Sequence, residues 1–414
     1  MTVDADGTHL ADLDFWACPP AERDEVFARL RASRGPVHVP GSRDSGGALL
    51  PEFYALTRHD QITEVSRNPR TFSSEPSAVS MDDPPPQVRE LIGSMISMDD
   101  PRHARLRRIV SRAFTPRVID RVESDVTALA AAIVDDLVER GPCDFVTEVA
   151  MQLPLRIICS MMGVPDSESC SVIDATDLIS AVGDPDYVGP AGEDRSTVMV
   201  EKVSHLHDLM HRLAAERRAR PAGDLITTLV SAEVGGEALT DQELAKFFVL
   251  LVVAGNETTR NAIAHGLALL TEHPDQRALL LEDLEGRLPG AVEEIVRYAT
   301  PVTWMRRNLT RDTELLGHTY RAGDRVILYY NSANRDEAVF TDPYAFDITR
   351  SPNPHLGFGG PGPHFCLGAH LARREITVML RELLTRVPRI HTTAEPVRQR
   401  TSFVNGITSL PCAF

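Results

Sequence analysis

The sequence predicts a mainly α fold, a single large helical domain over residues 1–414 with small β-sheets at one side. Three observations carry that reading. Apolar residues recur at helical spacing along most of the chain, strand-like runs are few and short, and no repeat, low-complexity tract or linker divides it. Hydrophobic residues make up 43% of the 414 and charged residues 25%, a composition with ample material for a core.

The elements follow in order. Residues 43–53 read as a loop around Gly46 and Gly47, and residues 73–88 as another, closed by Pro84, Pro85 and Pro86. Helical periodicity marks 102–113, 119–140, 202–218, Asp241–Glu272, 289–298 and 367–386. Strand-like pieces are Val37–Val39, 55–56, 307–309 and 325–330. Asp241–Glu272 is the informative helix. Thr240 and Glu243 form a capping-box pattern at its start, and Pro274 lies beyond its end. Its middle is apolar on every face, which predicts burial. Gly255, Asn256, Glu257, Thr258, Thr259 and Arg260 then interrupt the apolar run. A carboxylate and hydroxyls inside a buried helix are costly unless paired or wet. The cluster is either a loosened, self-satisfied helix turn or a hydrated notch beside a reaction centre.

Charge and cysteine usage exclude several function classes. The net charge is −16, which argues against wholesale binding of nucleic acid or anionic membrane. Lysine stands only at 202 and 246, so arginine supplies nearly all of the 43 basic residues. The apolar run from Phe247 to Gly255 has nine residues, against about 20 for a membrane span. The polar start, residues 1–14, has no signal-peptide pattern. The expectation is a cytoplasmic, non-spanning protein. None of the six cysteines forms a C-x-x-C pair, so local zinc or iron–sulfur clusters and a disulfide framework are not expected. Five of them read as small buried or half-buried side chains.

Cys366 is the exception. It lies in the run from Phe358 through Gly359, Gly360, Pro361, Gly362, Pro363, His364 and Phe365, just before a helix. Free backbone N–H groups and the positive end of a helix dipole favour a thiolate there. The residue is either a lone thiol or the single thiolate ligand of a metal centre, and haem iron accepts one such ligand.

At this point the chain resembles a bacterial cytochrome P-450, over essentially its whole length. Four motifs carry the resemblance: the cysteine loop, Ala254 to Thr259, Glu294 to Arg297, and Asp99 to Arg107. The resemblance implies the P-450 fold, with haem b between the long central helix and the cysteine loop. It implies Cys366 as iron ligand, and His364, His103, Arg107 and Arg307 as haem-propionate partners, with Arg306 as the alternative one register away. It implies Glu257 and Thr258 as an acid–alcohol pair relaying protons when O2 is activated. It implies Glu294 and Arg297 as a structural pair with a downstream arginine partner, Arg350 or else Arg335. The family's phenylalanine seven residues before the cysteine falls on Gly359, and Phe358 stands one residue earlier, so the loop carries one extra residue.

The resemblance is strongest to actinobacterial members that hydroxylate methyl-branched lipids and sterol side chains at a terminal carbon. It rests there on residues 97–117, 247–264, 353–360 and 402–407. It implies an apolar small-molecule substrate touched by Met95, Ile96, Met98, Val253, Ala254, Phe403 and Val404. The segment 183–197, where the family forms a substrate lid, is polar, with Asp184, Asp186, Glu193 and Asp194. Electrons are expected from a ferredoxin and an NAD(P)H-dependent ferredoxin reductase. Arg102, Arg105, Arg107, Arg108, Arg112, Arg117 and Arg121 stand among a single acid, Asp120, and read as a docking patch that Arg373 and Arg374 extend. Two other readings stay in view: a non-catalytic haem or gas sensor, and a peroxide-dependent haem-thiolate enzyme.

Overall fold

The computed structural model describes residues 10–33, 35–43, 49–114, 116–180, 195–234 and 236–414. The helices that position the site are α1 (His59–Arg67), α2 (Arg102–Val110), α3 (Pro116–Arg140), α4 (Gln152–Met161), α5 (Arg195–Ala219), α6 (Asp241–Glu272), α7 (Leu284–Ala299) and α8 (Ala369–Arg386). The main sheet comprises β1 (Val37–Val39), β2 (Phe53–Leu56), β3 (Phe72–Ser73), β4 (Trp304–Leu309) and β5 (Arg325–Tyr329), in the order β1-β2-β5-β4-β3. Only β2 and β5 pair in parallel. A parallel pair needs a long crossover, and here most of the helical body lies between the two strands in sequence.

Helix α6 has the predicted limits. Its capping box is closed on both sides: Glu243 N–H donates to Thr240 Oγ1 at 3.1 Å, and Thr240 N–H to Glu243 Oε2 at 2.9 Å. The helix packs against α4, α5, α7 and α8, which explains its all-round apolar middle. A Cβ at Gly255 would lie 2.7 Å from Ile158 Cδ1 of α4, so this glycine serves close helix packing. Of the two alternatives for the polar cluster, a break in the helix is not seen: α6 runs unbroken. The Thr258 hydroxyl donates to the Ala254 carbonyl at 2.8 Å, one turn back, and so leaves the helix geometry intact.

Other boundaries shift. Helix α7 starts at Leu284, before Pro289, because the Asp283 side chain accepts from Gly286 N–H at 3.1 Å and caps the earlier turn. Helix α2 ends at Val110, and a tighter turn, Ser111–Phe114, follows. Helix α8 starts at Ala369, leaving Leu367 and Gly368 in the turn after the cysteine. Of the cysteines expected to be buried, Cys170 is exposed.

Under α6 lies a buried ion pair. Glu294 and Arg297 side chains are both 0% exposed. Arg297 Nε and NH2 each donate to the Glu294 carboxylate at 2.7 Å, and NH1 donates to the carbonyls of Asn334 and Pro343 at 2.8 Å. The remaining carboxylate capacity is taken by Arg350 Nε at 3.2 Å, Asp347 N–H at 2.9 Å and Asn353 Nδ2 at 3.1 Å. Arg350 is thus the third member. Arg335 instead donates to the Arg297 and Tyr298 carbonyls.

Removing one partner of a buried pair strands the other charge. Glu294→Ala is expected to lower unfolding stability by about 3–5 kcal/mol. Arg350→Ala should cost less, because Arg297 still satisfies the carboxylate. Urea unfolding of both variants checks the order.

Candidate active site

The cysteine loop is shaped by close approach. A Cβ at Gly360 or Gly362 would collide with Ser66 at the end of α1. Gly359 adopts φ +88°, a left-handed conformation suited to glycine, and so absorbs the extra loop residue. It is Phe358 whose side chain reaches the cavity shared with Cys366. Cys366 N–H donates to the Phe358 carbonyl at 3.0 Å. The Arg373 guanidinium lies 4.2 Å over the Phe358 ring and is held by Glu293 at 2.5 and 2.9 Å. Against the upward push of burial, hydrogen bonds from Arg373 and His355 hold the Glu293 carboxyl at about 2.

The Cys366 thiol opens on this cavity. Burial pushes it above the ordinary thiol value. The N–H groups of Gly368 and Ala369 and the charges of Arg107 and Arg373 pull downward without reversing the shift. The N–H groups at the helix start thus act in the expected direction, toward the thiolate, and burial opposes them. A coordinating metal ion deprotonates a thiol outright.

Four basic side chains from three elements meet beside the cysteine. His103 and Arg107 lie on one face of α2, Arg307 on β4 and His364 on the loop. The His103 and His364 rings are 4.1 Å apart. His103 is buried and its Nε2 has no hydrogen-bond partner. Buried Arg307 donates to the carbonyl of its neighbour Arg306 at 2.7 Å. Arg107 NH2 donates to the Phe365 carbonyl at 2.6 Å, and His364 Nε2 lies 3.1 Å from Ser74 Oγ. Burial, then the charges of Arg307, His103 and Arg107, push His364 down to about 2. Burial and Arg107 likewise lower His103. Among the described residues no carboxylate pairs with Arg107, Arg307 or His364, so the cluster has room for an anion. Arg306 points to the other face of β4. It donates to the Ser80, Met81 and Asp82 carbonyls and to Asp83. Strand alternation therefore selects Arg307.

The cavity encloses roughly 1490 Å³, its open mouth included. Phe247, Leu251, Ala254, Thr258 and Ala262 of α6 form a stripe along it at helical spacing. Met95, Ile96 and Ala254 line it as expected. Met98, Val253, Phe403 and Val404 do not. Met98 lines a smaller side pocket with Leu106 and Lys246, and Val253 packs against the main core. The Phe403 ring sits edge-on to Trp304, with centroids 5.0 Å apart. Val404 bridges to Val302, which itself faces the cavity. Phe247, Leu251 and Ala262 were legible from their spacing to Thr258. Ile158, Val302 and Tyr330 carry no such signal, because they arrive from distant segments.

Thr258 is on the cavity wall. Glu257, one residue earlier and about 100° round the helix, is buried and off the wall. Its Oε1 accepts from Arg260 NH2 at 2.7 Å. A carboxyl absent from the sequence reading, Glu375 of α8, does line the cavity. It is buried, its Oε1 has no hydrogen-bond partner, and burial pushes its pKa up to about 8. An acid inside the apolar stripe of 367–386 was the available signal.

The arginine patch is smaller than its sequence. Arg105 is tied to Glu237 and Glu243, Arg373 to Glu293 and Arg374 to Glu123. Arg102, Arg108 and Arg112 are exposed. The side chains of Arg117, Asp120 and Arg121 lie outside the described residues, as do Gly46, Gly47 and the lid acids Asp184, Asp186, Glu193 and Asp194.

Comparisons with known proteins give the family of this chain. The cytochrome P450 family model matches residues 55–403. A methyl-branched lipid omega-hydroxylase of Mycobacterium tuberculosis is 47% identical over 408 residues, covering 98% of this chain and 94% of the relative. A steroid C26-monooxygenase of Mycolicibacterium smegmatis is 38% identical, covering 92% of this chain and 88% of the relative. A Mycobacterium marinum cytochrome P450 solved in complex with pseudoionone superposes with a TM-score of 0.91 at 42% identity, covering 100% of both chains.

Glu375 yields a pH prediction. The folded state keeps its proton up to about 8, whereas the ordinary value is 4.5. Between those limits the unfolded chain binds fewer protons, so stability falls as pH rises. Glu375→Gln is expected to flatten that slope, by an amount on the order of a few kcal/mol. Denaturant melts of wild type and variant across the window check it.

Proposed function

This chain belongs to the cytochrome P450 family, and on that premise we propose that it hydroxylates an unactivated terminal C–H bond of a methyl-branched lipid or a sterol or terpenoid side chain. It is a haem-thiolate monooxygenase that uses O2. Haem b, when bound, supplies the iron centre at which O2 is reduced and one oxygen atom is inserted into substrate.

In this reading the whole chain acts as one domain and its own side chains hold the group. Cys366 offers its sulfur from the rigid loop. The unpartnered His103 Nε2, Arg107, buried Arg307 and His364 receive two propionate carboxylates, which supply the negative charge that the basic cluster lacks. The carrying observation is that this cluster, Cys366 and Thr258 all border one largely apolar cavity.

The proton-handling residues are Thr258 and Glu257. Thr258 Oγ1 gives its hydrogen to Ala254, leaving lone pairs free to hold a water at the wall. Glu257 Oε1 exchanges its contact with Arg260 for solvent, takes up a proton there and passes it to that water, returning to the carboxylate paired with Arg260. Phe247, Leu251, Met95 and Ile96 exclude bulk water and hold an alkyl chain. The names of the relatives support a methyl-branched lipid or a sterol. The acid–alcohol pair favours O2 with reductant over the sensor and peroxide readings.

Electrons come, in the same reading, from a ferredoxin and an NAD(P)H-dependent reductase in the cytoplasm. No helix among the described residues is long and apolar enough to cross a membrane. Arg108, on the same helix as the Arg107 that grips Phe365, the neighbour of Cys366, and Arg112, in the turn after it, are exposed.

The reading is tested by supplying ferredoxin, reductase, NADPH and O2 with methyl-branched fatty acids or cholesterol-type sterols. A terminal alcohol is the expected product. No oxygenated product from either class would reject the substrate assignment. Cys366→Ala is expected to lose the absorption band of the reduced CO complex that characterises the family. Thr258→Ala should keep oxidising reductant while product per electron pair falls ~10-fold or more, with peroxide released instead. Reduction by ferredoxin should slow as salt rises, and Arg108→Glu with Arg112→Glu should slow it further at low salt. A rate indifferent to both would place the docking surface elsewhere.

A further inference from the structure

Two thiols outside the active site face each other across a short ladder. Cys143–Asp144 pairs antiparallel with Pro411–Ala413, and Cys143 stands directly opposite Cys412. The sulfurs are 3.9 Å apart although the residues are 269 positions apart in the chain. Cys412 is buried and Cys143 half-buried. Phe145 N–H donates to the Leu410 carbonyl at 2.9 Å. Counting back two residues on each strand makes Cys143 and Cys412 a hydrogen-bonded pair of the ladder, with Cα atoms about 5.5 Å apart. That spacing lies within the range a disulfide accepts, and the sulfurs, already 3.9 Å apart, need to approach only to the bonding distance of about 2 Å.

The surroundings hold this register. The Asp144 carboxylate accepts from Leu410 N–H at 3.0 Å, Ser409 Oγ at 2.5 Å and Val146 N–H at 2.9 Å. On its other edge Pro411–Ala413 pairs with His391–Thr392. The same C-terminal segment is tied to the active-site helix. Ile407 N–H donates to Asn261 Oδ1 at 3.1 Å, and the Asn405 carbonyl lies 3.0 Å from His265 Nε2. Neither thiol lines the cavity, and nothing in the mechanism uses them.

We propose that Cys143 and Cys412 are a reversible oxidation site, forming an intramolecular disulfide that staples the last strand to the segment between α3 and α4. With a small-molecule disulfide as oxidant, one protein thiolate attacks it and expels one thiol. The second protein thiolate then attacks the mixed disulfide and expels the other. The two protein thiols lose two protons and two electrons, and the oxidant is reduced to two thiols. Burial raises both thiol pKa values, that of Cys412 to about 12, so exchange is slow and calls for long incubation. The closed loop spans most of the chain, which favours stabilisation through the unfolded state.

The test uses the haem-loaded protein incubated with excess oxidised glutathione, then alkylated and digested without reductant. The expected product is one linked peptide pair containing Cys143 and Cys412, about 2 Da lighter than the two reduced peptides and released by dithiothreitol. Wild-type melting temperature should rise on oxidation, and Cys143→Ser and Cys412→Ser should show no such rise. Glutathione adducts without the cross-link, linkage through Cys170 or another cysteine, or an equal melting shift in the serine variants would each overturn the proposal.

Discussion

The buried carboxylate of Glu294 is the constraint on which the lower half of the molecule depends. A charge at 0% exposure is tolerable only if every oxygen is satisfied. Arg297, Arg350, Asp347 and Asn353 do that together. In meeting that demand, the irregular segment 334–353 acquires a defined path. Asn334 continues it: its carbonyl receives Arg297 and its Oδ1 receives Leu356 N–H at 2.7 Å. The cysteine loop begins there, so its position descends from an ion pair that never meets the substrate.

The active cavity applies the opposite logic. Among the described residues no carboxylate pairs with its Arg107, Arg307 or His364, only Asp100 approaches His103, at 3.7 Å, and burial and mutual repulsion depress the two histidines. Left alone, that arrangement destabilises the fold. It becomes favourable when a ligand brings buried negative charge, so the energetic deficit of the site is also its affinity for a cofactor with two carboxylates. Glu375 belongs to the same cavity but stays neutral, since no cation reaches it.

Helix α6 joins these features. Its capping box sets its start, and its apolar stripe builds one cavity wall. Its polar notch divides labour between adjacent residues: Thr258 toward the cavity, Glu257 toward Arg260. One residue of helical rotation separates the two, which keeps the carboxyl beside Arg260 and out of the apolar space.

The sequence by itself determined the helical class, the limits of α6, the special position of Cys366 and the residue types gathered around it. Each rests on local spacing, and local spacing is set by backbone geometry within a few residues. Only the tertiary structure decided which side chains meet. It separated Arg307 from Arg306 by the face of β4, chose Arg350 over Arg335, and turned Glu257 away from the cavity. It also left Met98, Val253, Phe403 and Val404 off the cavity lining, tied up Arg105, Arg373 and Arg374 in ion pairs, and set Cys143 beside Cys412. Such meetings join segments far apart in the chain, and they follow from how helices and strands pack, which no local pattern encodes.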